Sequence, residues 1–269
     1  MYIEAISAPI ARQYGAFVFA DYLRGRLAEQ RNAKRVVRTR LRLEIAAAEL
    51  LQGIGYHELK ISAICGAADC GHGTFYRYWP DREAVVRDVM TDFMEAIRAA
   101  RPPLPSGTML QERVLLGHLY YIEIFRLNAG LMRCLSQLNY QMPGFAEIGQ
   151  KANRHLAMRV LRAFRREGYR PARKATEGQD IALALSCIGM VDEMLRNIFI
   201  NSAGLQIGTR ELATLFLQIW YRAFLRRDAI VPARLRDLSL PARNLRPVPA
   251  AEQRAEPARR RKSGATANT

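Results

Sequence analysis

No stretch of this 269-residue chain alternates polar and apolar side chains with the period of two that a half-buried strand requires. Where apolar residues recur, they do so at helical spacing. Leu41, Ile45, Ala48 and Leu51 form one such row, and long apolar-rich segments follow at about 109–128, 131–140, 145–167, 178–202 and 209–226. The chain therefore reads as all-α, a class in which helices must bury one stripe against one another. It is long enough for one large domain or two small ones, and no internal repeat is visible.

Between residues 39 and 99 the helices become short. Thr39 is placed to cap a first helix that Gly53 and Gly55 end. A second helix fits Leu59–Ala67, with Ile61, Ile64 and Cys65 as its buried side. Ala68-Asp69-Cys70 makes a tight break, since Asp tolerates a left-handed or turn conformation better than most residues. A third helix runs from about Gly71 to Trp79 with Pro80 just past it, and a fourth from Glu83 to about Ala99. Two short helices joined by a tight turn, after a capped first helix, describe a helix-turn-helix.

The third helix has two unlike faces. At about 100° per residue, Phe75 and Trp79 share one side with His72 nearby, while Gly73, Thr74, Tyr76 and Arg77 point away. A surface helix without a task more often carries Glu and Lys; this face carries no acid. Thr and Tyr hydroxyls donate to phosphate oxygens. Arg grips guanine O6 and N7, and His reaches a base edge. Gly71 and Gly73 form helix poorly but permit close approach of the backbone to DNA.

Charge bears on the same reading. Lys+Arg is 41 against Asp+Glu 25, a net charge of +16, and so strong a balance implies a polyanionic partner. Only Lys34, Lys60, Lys151, Lys174 and Lys262 are lysines. An arginine excess of this kind accompanies GC-rich coding, so the position of charge matters more than its total. Arg31, Lys34, Arg35, Arg38, Arg40 and Arg42 follow one another without an acid. Such a run is commonly just a solvated helix start; ahead of a helix-turn-helix it reads as a phosphate-binding arm, with Arg38 and Arg40 on the DNA backbone.

Ala47-Ala48-Glu49-Leu50-Leu51 through Gly55-Tyr56, then Ile61, Ile64, Ala68 and Gly73-Thr74-Phe75-Tyr76-Arg77-Tyr78-Trp79-Pro80-Asp81-Arg82-Glu83, resemble the DNA-binding domain of the tetracycline-repressor (TetR) family. The resemblance covers about residues 39–90. It implies that Thr74 and Tyr76 contact phosphate through their hydroxyls, that His72, Arg77 and Tyr78 face bases, and that Arg82 clamps phosphate at the start of the fourth helix. It also implies an effector pocket in the second domain and pairing of the last two helices into a four-helix bundle. The chain departs from the family pattern at Cys65, Asp69 and Cys70, where Ala, Gly and an apolar residue are usual. It departs again at Leu59-Lys60, where a Thr or Ser cap is usual.

Arg101-Pro102-Pro103-Leu104-Pro105-Ser106-Gly107 reads as a linker. The expected organisation is an extension over 1–30, with a helix from about Arg12 to Gln30, and a helix-turn-helix domain with its arm over 31–100. A helical effector-binding and dimerisation domain follows over 109–227, and a disordered basic tail over 232–269. The helix around Val114–Phe125 is apolar on nearly every side, with His118 and Glu123 embedded in it. His118, Tyr121, Glu123 and Phe125 are the candidates to line a pocket for a small apolar effector; the alternative is that they only bond neighbouring helices. Ala182, Ala184, Ser186 and Gly189 intersperse an apolar helix, and Leu215, Ile219 and Trp220 mark a stripe on the next. A homodimer through about 178–202 and 209–226 is expected, because a helix-turn-helix reads a palindrome best as a dimer.

Four cysteines in a chain of this length are not a disulfide framework, so a reducing compartment is expected. The apolar Ala16–Ala20 has no basic segment before it and is followed by Asp21, and no run of about 18 apolar residues occurs. A cytoplasmic chain without a membrane span is the expectation. Cys65-x4-Cys70-x-His72 is not a zinc spacing, so neither metal nor other cofactor is expected. The four His match no nucleophile motif, and neither a phosphate loop nor Gly-x-Ser-x-Gly is present, so an enzyme is not expected. The reading is a ligand-responsive regulator, a repressor, that binds double-stranded operator DNA as a dimer. Its alternatives are an all-helical scaffold on an anionic membrane surface and a DNA binder without an effector.

Overall fold

The computed structural model describes residues 17–172, 175–201 and 203–231. The start of the extension, 1–16, and the segment expected as a basic tail, 232–269, lie outside them. Among the described residues there are ten α-helices and no strand: α1 (Phe19–Glu29), α2 (Arg35–Gly53), α3 (Ile61–Ala67), α4 (His72–Tyr76), α5 (Arg82–Ala99), α6 (Leu110–Leu127), α7 (Ala129–Gln141), α8 (Pro143–Arg166), α9 (Glu177–Phe199) and α10 (Thr209–Leu225). The all-α expectation holds, and the long helices begin and end within a few residues of the expected positions. No described helix is long and apolar enough to cross a membrane.

The chain divides into two compact units, one of residues 17–99 with 126–135, the other of 100–125 with 136–231. The first is built around α2, whose Leu41, Leu43, Ala47, Ala48 and Leu51 are buried. α2 starts a turn earlier than expected. Lys34 occupies the cap position, and Thr39 is buried inside the helix. Neither Gly nor Pro lies between Lys34 and Thr39, so nothing ends the helix before the basic arm, which becomes its first turn. α3 likewise starts at Ile61, two residues past the expected Leu59, after a 3-10 turn over Tyr56–Glu58. α5 includes Arg82, because the carboxylate of Asp81 accepts from the amide of Ala84 (2.8 Å) and caps it.

Part of the extension belongs to this unit. In α1, Phe19 and Leu23 are fully buried, and Phe19 meets Phe93 edge-on at 5.3 Å. Buried Asn128 accepts from the Phe19 amide and donates to the Phe17 carbonyl, both at 2.9 Å. Gln52 reaches the junction of α6 and α7. Its amide group donates to the Leu127 carbonyl (3.1 Å), and its oxygen accepts from the Leu131 amide (3.3 Å). One side chain thus satisfies an acceptor left open where α6 ends and a donor left open where α7 begins.

The second unit is held by α9. Thr176 and Gln179 form a reciprocal capping box at its start. Its inner face, Ile181, Ala184, Cys187, Ile188, Val191 and Leu195, is buried. Asp180 is buried and accepts from Arg165 and Tyr169, each at 2.7 Å. Phe164 stacks on Phe224 at 4.3 Å.

At Gly130 a Cβ would stand 2.2 Å from the backbone oxygen of Gln52, which no side-chain rotation relieves. Gly130→Ala is expected to lower the unfolding free energy by about 3 kcal/mol, read by chemical denaturation.

Candidate nucleic-acid interface

α3 ends in a motif that sets the direction of α4. The Cys70 amide donates to the Cys65 carbonyl (3.0 Å) and the Asp69 amide to the Gly66 carbonyl (3.3 Å), with Asp69 left-handed at φ 50°. This is a Schellman closure with Asp where Gly is usual. The expected break at 68–70 is therefore real, and Asp69 carries its strain.

α4 is a single turn and a half, too short to be stable alone. Phe75 (0% exposed) and Trp79 (3%) anchor it. Residues 77–79 are no longer helical, but the amides of Tyr78 and Trp79 still donate to the Phe75 carbonyl at 2.9 and 3.2 Å. Gly71, His72, Gly73, Tyr76 and Arg77 are exposed and Thr74 is half-buried. His72 is thus not beside the buried side, as the helical wheel placed it. It opens the helix, and its first turn stands clear of the core. A Cβ at Gly71 or Gly73 would meet nothing within 4 Å, so packing inside the chain does not require either glycine.

Other expected contact residues also have partners within the unit. The indole N–H of Trp79 donates to Asp88 Oδ2 (2.8 Å), which also accepts from Arg40 Nη2 (2.8 Å). Arg40 donates through Nε to Glu44 (3.0 Å) and lies over the Trp79 ring at 5.3 Å. Burial pushes the Glu44 carboxyl up, against the pull of Arg40. Arg40 is therefore a strut for Trp79, although its side chain, like that of Arg38, is exposed. Tyr78 is half-buried, and its hydroxyl donates to the Val36 carbonyl (3.0 Å), tying the end of the recognition segment to α2. Arg82 lies over the Tyr56 ring at 4.7 Å and donates through Nη1 to the carbonyls of His57 (3.1 Å) and Leu59 (3.3 Å). Sequence reasoning missed Asp81 and Asp88. Nothing local separates Asp88 from a solvated surface acid; only the fold brings Trp79 and Arg40 to it.

The effector candidates on α6 lie in the second unit. His118, Tyr121 and Phe125 share one face of the helix, and Glu123 points elsewhere. His118 is buried against Trp220 (4.8 Å, edge-on) and Phe216 (5.5 Å). Burial, and then Arg101, push its pKa down to about 3, so the ring is neutral. Its Nδ1 and the Nε1 of Trp220 are buried without a hydrogen-bond partner. Trp220 therefore faces inward, not along an outer stripe with Leu215. The Tyr121 hydroxyl donates to Asp192 Oδ1 (2.7 Å), Phe125 stacks on Phe199, and Glu123 accepts from Thr209 at 3.5 Å. Burial, followed by Cys70, pushes the Cys65 thiol up. Among the described residues no three His, Cys, Asp or Glu side chains gather as metal ligands.

The fold and this face define a helix-turn-helix DNA-binding unit accompanied by a larger helical unit. Residues 45–89 match the family profile described as bacterial regulatory proteins, tetR family. Uncharacterized HTH-type transcriptional regulators of Mycobacterium tuberculosis and Mycobacterium bovis are 32% identical over 75 residues, 28% of this chain and 36% of theirs. The chain thus matches little more than a third of the length of these relatives. A TetR-family regulator from Bordetella parapertussis superposes with TM-score 0.52 at 20% identity, covering 71% of this chain and 98% of that one. A TetR-like regulator from Rhodococcus gives 0.51 at 16%, covering 68% and 94%. These two show the fold. Residues 45–89 thus match the DNA-binding region of TetR-family transcription regulators, and the fold of the chain resembles theirs.

Asp69→Gly is expected to raise the unfolding free energy by up to about 1 kcal/mol by removing left-handed strain. The His118 pKa lies below its unfolded value of about 6.5, so its contribution to stability is complete above that pH and is lost as pH falls toward 3. From pH 7 to 5.5 the loss is about 1 kcal/mol. His118→Phe should remove that part of the pH slope in denaturant titrations.

Proposed function

We propose that the chain is an effector-responsive repressor that binds a palindromic operator as a homodimer. The observation that carries this reading is the acid-free face of exposed His72, Gly73, Tyr76 and Arg77 with half-buried Thr74, turned outward because Phe75 and Trp79 are buried behind it. Thr74 and Tyr76 are the phosphate donors, and His72 and Arg77 the base readers. Arg38 on the first turn of α2 adds a phosphate contact. Arg40, Tyr78 and Arg82 act through the posture of the unit, and a share of phosphate contact for Arg82 remains part of the proposal.

Dimerisation is supported by the outer side of α9, where Ala182, Ser186 and Gly189 are exposed and uncharged, and by exposed Leu215 on α10. An effector is supported by the two orphaned atoms His118 Nδ1 and Trp220 Nε1. An unpaired buried polar group costs about 1–3 kcal/mol, and a neutral, mostly apolar molecule with one hydroxyl or carbonyl would relieve that cost. α6 is one uninterrupted helix, with residues 110–125 in the second unit and 126–127 in the first. An effector on its His118 face would favour one conformation of the chain over another and so change operator affinity. Repression as the sign of regulation follows the resemblance to the tetracycline-repressor family.

Selection of bound sequences from a random duplex pool at two salt concentrations tests the reading. A palindrome with half-sites about one helical turn or more apart is expected; binding without any enriched sequence overturns it. Against the selected site, Tyr76→Phe should weaken binding with the salt slope kept, and Arg77→Ala should cost about 1–3 kcal/mol and relax one base position. Gly73→Ala should stabilise the unit by up to about 1 kcal/mol yet lower operator affinity, a divergence that a packing role for the glycine would not give.

A further inference from the structure

Helix α8 carries a row of cations that neither the fold nor the recognition helix uses. Lys151, His155, Arg159, Arg162 and Arg166 follow one another at intervals of four, four, three and four residues. Those intervals keep them within about 80° of one another around the helix, over a length of about 22 Å. All five are exposed, and Arg154 is exposed on their flank. From residue 148 to 176 the only acid is Glu167, which is paired with Arg227. Among the described residues, no hydrogen bond or ion pair engages the side chains of Lys151, Arg154, Arg159, Arg162 or Arg166.

Arginine excess alone does not produce this pattern. Several arginines elsewhere meet carboxylates: Arg24 with Glu49, Arg26 with Asp92, Arg40 with Asp88, Arg87 with Glu83, and Arg222 with Asp228. On α8, Arg159, Arg162 and Arg166 are like-charged neighbours at i,i+3 and i,i+4, an arrangement that weakens a helix. An idle helix surface would carry Glu among them.

The surroundings of the row select its partner. The apolar side of α8 is already used, with Phe145, Ala157, Leu161 and Phe164 buried. No apolar face is therefore left to enter a membrane surface. None of its described large apolar or aromatic side chains is exposed. A protein partner would find no anchor, and single-stranded nucleic acid no stacking platform. What remains is a partner bound through charge alone, along a straight, regular line of anions. Duplex DNA presents about one phosphate per 1.7 Å of its axis, and the guanidinium fork matches phosphate geometry.

We propose that α8 is a second, sequence-independent duplex-DNA-binding face, acting on the phosphate backbone through Lys151, Arg159, Arg162 and Arg166. It stands on its own surface, apart from the reading of the recognition helix, and the two fail separately.

The test uses the full-length chain, a duplex of scrambled sequence and fluorescence anisotropy from 50 to 300 mM salt, a range of about sixfold. Lys151→Gln/Arg159→Gln/Arg162→Gln is expected to lower the slope of log affinity against log salt by about 3, with on the order of a hundredfold weaker binding near 0.1 M salt. Its thermal melting should lie at or slightly above the parent's, since all three side chains are exposed and like-charge repulsion is relieved. The triple variant should still select the same palindrome. An unchanged salt slope in the triple variant overturns the proposal, because the arm or other basic segments would then carry the binding. Loss of flotation with phosphatidylserine vesicles, without loss of duplex binding, overturns it in favour of a lipid surface.

Discussion

The burial of Trp79 is the constraint on which the DNA-facing surface depends. α4 makes too few hydrogen bonds to hold its own direction, so the positions of His72, Thr74, Tyr76 and Arg77 are set by what Phe75 and Trp79 sink into. The indole is fixed at both its polar and its apolar parts. Its N–H is held by Asp88 on α5, and its ring lies under the Arg40 guanidinium, which is itself braced by Glu44. Each of these pairs is partly exposed and contributes little energy alone. Their value is geometric: α2 and α5 agree on one orientation for a ring, and that ring orients the helix that meets DNA.

The division of α4 into an inner and an outer face was legible, because burial of two aromatics at i and i+4 leaves the intervening side chains no other direction. The turn at Asp69 was legible as well, from the few residue types that accept a left-handed backbone. Less legible was the use of each cation. Arg40 and Arg82 look from the sequence like free positive charges beside a recognition helix. In the fold one is engaged by Asp88, 48 residues away, and the other by the carbonyls of His57 and Leu59. A charged side chain long enough to reach several partners takes the one that tertiary structure delivers, and no local pattern encodes it. The start of α2 was misplaced for another reason: a good cap residue does not end a helix when neither Gly nor Pro interrupts the residues before it.

The junction of α6 and α7 escaped sequence reading altogether. Gln52, Asn128 and Gly130 are ordinary residues until α2 and α7 touch. Their roles then become specific: two amide side chains satisfy backbone groups that helix ends and a helix start leave open, and a missing Cβ lets two backbones meet. The same contacts explain why α1 is part of the unit and not an appendage. It buries Phe19 and Leu23 and is fastened by an asparagine more than one hundred residues away.

The two basic surfaces separate charge as composition from charge as design. A net charge of +16 is compatible with codon bias, and several of the described arginines, Arg24, Arg26 and Arg87 among them, are neutralised by a nearby acid. Bias raises the number of cations, but it does not align them on one helix face or remove the acids from between them. The first turn of α2 and the outer side of α8 are the places where both conditions hold. The first lies beside a recognition helix and draws its meaning from that. The second has no such neighbour in its own unit, and its opposite side is fully committed to the core. A helix that keeps like charges adjacent loses stability in the free protein and regains it only when a polyanion is bound, which makes the row on α8 a surface shaped for the bound state.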